Sequence, residues 1–167
     1  MSPVFIVDTN VVVSGLITSN PDSPVAAVLD GMLSAAFVFA VSEMLLAEYR
    51  AVLLRPHLKN LHGLSPAEID AILLELAQHA IVLKTPEDQM QASAPDPGDQ
   101  FLWNLLASHA DLLLVTGDKL LLQDPAMATR VITPQALISK CLLDIEVHRR
   151  VGPGRPSRSW PRSQTTA

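Results

Sequence analysis

The chain has 167 residues, 49% hydrophobic, 17% charged and only 4% aromatic, which suits one globular domain burying roughly 70% of its unfolded surface without a disulfide. That composition excludes intrinsic disorder and collagen-like repeats and asks for a core of Leu, Val, Ile and Ala. The net charge is −5, yet the last twenty residues hold five arginines and no acid, so the body is acidic, and broad attraction to nucleic acid is disfavoured unless carboxylates gather into a cation site.

Val4, Phe5, Ile6 and Val7 form a continuous apolar run ending at Asp8, the pattern of a strand buried on both faces of a parallel sheet. Residues 24–33 carry Val25, Val28, Leu29 and Met32 at near-helical spacing, with Gly31 close to the end. A second apolar run over 36–41 predicts strand two. Ser42 then opens a helix with a stripe of Leu45, Leu46, Tyr49, Val52 and Leu53, stopped by Pro56. Ser65, Pro66 and Glu68 combine a capping box with proline at the first helical position, ahead of Ile69, Ile72, Leu73 and Leu76.

Residues 80–83 predict a third strand, and 85–98, polar with three prolines, a loop. Asp99 is placed to cap a helix that buries Phe101, Leu102, Leu105 and Leu106. Leu112 to Val115 predicts strand four, residues 120–123 a short helix, Val131 and Ile132 a last strand, and Thr133-Pro134 a closing helix. Strands alternating with helices predict a doubly wound α/β sheet with right-handed crossovers. From Gly152 onward Pro, Gly, Ser and Arg dominate; the expected division is a domain over 1–147 and a basic tail over 148–167.

The longest stretch without Asp, Glu, Lys or Arg has 13 residues, Thr9 to Pro21, short of the roughly 18 a membrane helix requires. The first basic residue is Arg50, so a secretory leader is not expected. One cysteine, Cys141, permits neither an internal bridge nor a zinc cluster. The expected location is cytoplasmic.

In open parallel sheets ligands bind beyond the carboxyl ends of the strands, where strand order reverses. Asp8 ends strand one and Asp118 follows strand four; Glu48 lies two turns into the helix after strand two, and Asp99 starts the helix before strand four. All four can reach one edge. Each acid singly also suits a cap or an exposed helix position. Together, two carboxylates 4 Å apart repel by about 1 kcal/mol in water and about 4 at an effective dielectric of 20, so the set calls for a cation. Oxygen-only ligands select Mg²⁺ or Mn²⁺, and with it phosphodiester or phosphoryl chemistry. Asn10 and Thr116 are candidate hydrogen-bond partners behind these ligands, and Asp96, beside Pro97 and Gly98, reads as a turn residue. No G-x-S-x-G elbow or phosphate loop is present, and the five histidines lack metal-ligand spacing.

Val7-Asp8-Thr9-Asn10, Ser42-x-x-Leu45-Leu46-x-Glu48, Asp96-Pro97-x-x-Asp99 and Val115-Thr116-Gly117-Asp118-Lys119 resemble in sequence order the motifs of the PIN-domain nucleases. The closest likeness is to the bacterial group described as toxin components of toxin–antitoxin systems, over about residues 3–140. The resemblance implies a three-layer fold with sheet order 3-2-1-4-5 flanked by helices, and Mg²⁺- or Mn²⁺-dependent cleavage of RNA. By match, Asp8, Glu48, Asp99 and Asp118 take the family's four acidic positions, serving as both metal ligands and catalytic groups; Asp96 has no counterpart. It further implies a homodimer and an antitoxin that blocks the site, with the helices between Ala51 and Ala80 as contact surfaces. Two other readings stand beside it. A phosphatase of the haloacid-dehalogenase type also starts from an Asp after strand one, but needs a second Asp where this chain has Asn10. A non-catalytic RNA- or antitoxin-binding protein would be expected to have lost at least one carboxylate.

Overall fold

A computed structural model of the chain describes residues 3–84, 94–95 and 97–141. Five parallel strands, β1 (Val4–Val7), β2 (Phe39–Ser42), β3 (Ile81–Leu83), β4 (Leu112–Val115) and β5 (Val131–Ile132), form one sheet in the order β3-β2-β1-β4-β5. The expected strand order and α/β architecture are thus the observed ones. β1 lies at the centre, paired with β4 from Val4 opposite Leu112 to Val7 opposite Val115. One step past that register stand Asp8 and Thr116. The expected loop over 85–98 falls mostly outside the described residues, as do Asp96, the division at 147 and the basic tail.

Seven helices among the described residues connect and cover the strands: α1 (Thr9–Ile17), α2 (Pro24–Leu33), α3 (Glu43–Leu53), α4 (Pro56–His62), α5 (Pro66–His79), α6 (Gln100–Ser108) and α7 (Lys119–Leu122). A further helical run occupies 134–141. The core joins Phe5, Ile6, Val7, Phe39, Val41 and Leu114 of the sheet to Val12, Leu45, Tyr49, Leu76, Leu102 and Leu105 of the helices. Among the described residues no helix is long and apolar enough to cross a membrane.

Several boundaries differ from those the sequence predicts, each for a local reason. The helix over 9–17 is not among the elements read from the sequence; Val11, Val12 and Val13 are poor helix formers. These valines are nevertheless buried while Asn10 and Ser14 stay exposed, so α1 gains its stability from packing its apolar side against α2 and α3 rather than from intrinsic propensity. Strand two starts at Phe39, not at 36, because the preceding residues close α2. Ala35 takes a left-handed φ of 54°, its N–H reaches the Met32 carbonyl, and the Ala36 N–H reaches Gly31 at 2.8 Å, a Schellman ending. Pro56, expected only to stop α3, also starts α4, where a missing N–H costs nothing. The capping box of Ser65 and Glu68 forms as expected. The last short helix spans Lys119–Leu122, one residue earlier than expected, because Asp118 caps it.

Candidate active site

Among the described residues four polar side chains are buried: Asp8, Thr9, Ser42 and Thr116. Ser42 accepts from the Leu45 N–H at 3.1 Å and caps α3. The other three meet beyond the carboxyl ends of β1 and β4, at the centre of the sheet where the chain changes direction. Burying polar groups costs free energy unless they are hydrogen-bonded, and here the bonding is dense. Asp8, 6% exposed, accepts the Thr9 N–H on Oδ1 at 2.8 Å and the Thr116 hydroxyl on Oδ2 at 2.7 Å. Its own N–H bonds the Val115 carbonyl at 2.9 Å, and it caps α1, whose N-terminal dipole favours a negative charge there.

Glu48 arrives from α3. Its Oε2 accepts the Thr9 hydroxyl at 2.7 Å. The next residue, Tyr49, is fully buried and donates its hydroxyl to the Val7 carbonyl. Neighbouring side chains of α3 thus bind on either side of Asp8, which sets the helix against the end of β1. Asp118 arrives from the β4 side, with its N–H on the Thr116 hydroxyl oxygen at 3.1 Å and its Oδ1 accepting from Leu120 at 2.9 Å. Asn10 spans the gap with two long contacts of 3.5 Å, its amide N–H to Thr116 and its Oδ1 to the Gly117 N–H. Thr116 thus bonds both Asp8 and the Asp118 N–H, and Asn10 contacts Thr116 and Gly117.

The electrostatics reflect this convergence. Burial raises the pKa of Asp8; the hydrogen bonds from Thr116 and Thr9 oppose the rise, and the charges of Glu48 and Asp118 add to it. Burial, then the charges of Asp8 and Glu48, drives the Tyr49 phenol well above its usual value, so Tyr49 stays a neutral donor. Asp99 is carried by a separate element. It ends a 3₁₀ turn (Pro97–Asp99) before α6, and its side chain makes no capping hydrogen bond to that helix, contrary to the role expected of it as a cap. With φ −96° and ψ 2° its backbone continues the turn instead of taking the extended form of a capping residue. Pro97 and Gly98 of that turn line a groove faced by Glu43 and Met44 at the start of α3, so the turn lies across from the helix that bears Glu48.

The donor set is chemically that of a hard cation: oxygen only, and mutually repulsive without one. Among the described residues no three acid, His or Cys side chains form a ready-made metal group. Sequence reasoning misses Thr9, whose place between Asp8 and Asn10 is its one signal. His62 is structural, bonded to the Leu53 carbonyl at 2.8 Å and to the Leu64 N–H at 2.9 Å.

The chain is thus an α/β protein with a 3-2-1-4-5 parallel sheet that carries acids at the carboxyl ends of its central strands. The family model described as PIN domain matches residues 4–120, most of the chain, and the chain belongs to the PIN domain family. Members of that family are in general Mg²⁺-dependent nucleases. Curated proteins and solved structures yield no match to the chain.

Proposed function

We propose that this protein is an endoribonuclease dependent on Mg²⁺ or Mn²⁺, that it acts in the cytoplasm as the toxin of a toxin–antitoxin pair, and that Asp8, Glu48, Asp99 and Asp118 form its acid set. The observation that carries the reading is the burial of Asp8 between Thr9 and Thr116, with Glu48 and Asp118 close enough to act on its charge. A surface cap needs no such surroundings. A divalent cation bound by these carboxylates supplies Lewis-acid stabilisation of charge on the scissile phosphate and lowers the pKa of water.

The chain's own residues do the rest. Asp8 is held rigidly, because both its oxygens are tied to groups fixed by α1 and β4. Glu48 and Asp118 approach from opposite sides, so a cation in the crevice would meet carboxylate oxygens on both flanks. A carboxylate of the set takes the proton from the attacking water as general base. Asn10, where a phosphatase of the haloacid-dehalogenase type would carry its second Asp, instead bridges Thr116 and Gly117. That argues for the diester reaction over the phosphomonoester one. The partners proposed with this reading are an RNA substrate, a cognate antitoxin and a second copy of the chain.

Incubating the purified chain with single-stranded RNA in Mn²⁺, with EDTA and a phosphate monoester as controls, tests it. Cleavage of RNA that stops in EDTA supports the proposal. Hydrolysis of the monoester alone would make the protein a phosphatase. RNA bound without turnover would make it a binding protein.

A further inference from the structure

Thr9 is placed where no capping or packing requirement calls for a hydroxyl. It is the first residue of α1, 7% exposed, and valine would fill the same volume. Its two polar groups point to two different acids: the N–H to Asp8 Oδ1 at 2.8 Å, the hydroxyl to Glu48 Oε2 at 2.7 Å. A hydroxyl has one proton to donate, and in Thr9 it is committed to Glu48. That donation occupies one carboxylate oxygen; among the described residues Oε1 of Glu48 takes no hydrogen bond. Without Thr9, Glu48 is a half-buried, long side chain beside a like charge, and repulsion from Asp8 favours rotamers that carry it away.

We infer that Thr9 is a positioning residue for the cation site: its hydroxyl holds the Glu48 carboxylate beside Asp8 and leaves Oε1 as a ligand. This rests on the metal-dependent reading above. Hydrogen-bond partners that orient metal ligands typically set affinity by about 10–100-fold. The backbone N–H to Asp8 survives substitution by serine, valine or alanine, so only the Glu48 arm disappears when the hydroxyl is removed.

The test is direct Mn²⁺ binding, by calorimetry or electron paramagnetic resonance, to wild type, Thr9→Ser and Thr9→Val, with melting temperature in EDTA recorded for each. Thr9→Val is expected to bind Mn²⁺ about 10–100-fold more weakly with little change in metal-free melting temperature, while Thr9→Ser stays near wild type. Should Thr9→Val melt much lower, Thr9→Ala removes the same hydroxyl without a branched replacement and is expected to show the same affinity loss. In the Glu48→Gln background the valine change should have little further effect, as coupled residues behave in a double-mutant cycle. Wild-type affinity in both Thr9→Val and Thr9→Ala overturns the inference and leaves the metal reading standing. A wild-type chain that binds no Mn²⁺ overturns the metal reading and this inference with it.

Discussion

At Asp8 a buried carboxylate faces two other acids, and burial outweighs the two hydrogen bonds that favour its ionised form. The consequence for stability has a definite sign. In the unfolded chain this group titrates near 3.8, and in the fold it titrates higher, so the folded state holds the proton more tightly. Stability from Asp8 is therefore fully present below 3.8 and is lost as pH rises through the raised value. In EDTA, Asp8→Asn should melt progressively higher relative to wild type as pH climbs through that window. A constant gap between the two melting curves would mean that the carboxylate carries no such strain. Asp8 and Asp118 stand out in the sequence because each follows an apolar strand run, whereas Glu48, two turns into a helix, stands out only as a member of the set. Thr9 does not, since a threonine beside a strand end looks like any cap. Asp99 is visible too, but its place on a 3₁₀ turn is a backbone matter that no residue pattern gives.

The elements that periodicity and caps reveal are those whose stability is local. α5 announces itself through Ser65, Pro66 and Glu68, and β1 and β4 through unbroken apolar runs. α1 stays hidden because its stability is tertiary: a helix of β-branched residues forms only where sheet and neighbouring helix enclose it. That enclosure depends on Gly15. A Cβ there would lie 2.7 Å from the Val25 carbonyl oxygen and 3.0 Å from Leu29 Cβ, and a helix carbonyl cannot move aside as a side chain can. Gly15→Ala is expected to lose about 1–3 kcal/mol by overpacking, read as a lower urea midpoint. Because Asp8 caps α1, the shift should also weaken Mn²⁺ binding. An unchanged midpoint would show that α1 and α2 separate freely. Arg130, a residue with no motif around it, is equally hidden. Its guanidinium donates to the carbonyls of Leu106, His109 and Leu112 and so ties the end of α6 to the start of β4.

For the whole molecule, alternation of strands and helices yields a doubly wound α/β sheet with its crevice at the strand ends, whereas the order 3-2-1-4-5 is what the PIN resemblance implies and is the order observed. Charge is distributed less evenly. On the proposed function the substrate is a polyanion and the body is acidic, so the five arginines of the last twenty residues are the groups on which salt-sensitive contacts with RNA would rest. Deleting residues 151–167 should weaken RNA binding and flatten its salt dependence. On a single strand the log–log slope should fall by about 0.7 for each phosphate that the arginines no longer neutralise. The deletion removes Arg155, Arg158 and Arg162 of the five, and an identical slope would give those three no part in binding.

Cleavage of single-stranded RNA in Mn²⁺ by Asp8→Asn and Asp118→Asn, each first shown by circular dichroism to be folded, tests the central claim that the acids at the ends of β1 and β4 form one working site. Both variants should be inactive where wild type cleaves. Wild-type cleavage by a well-folded Asp8→Asn protein would contradict it.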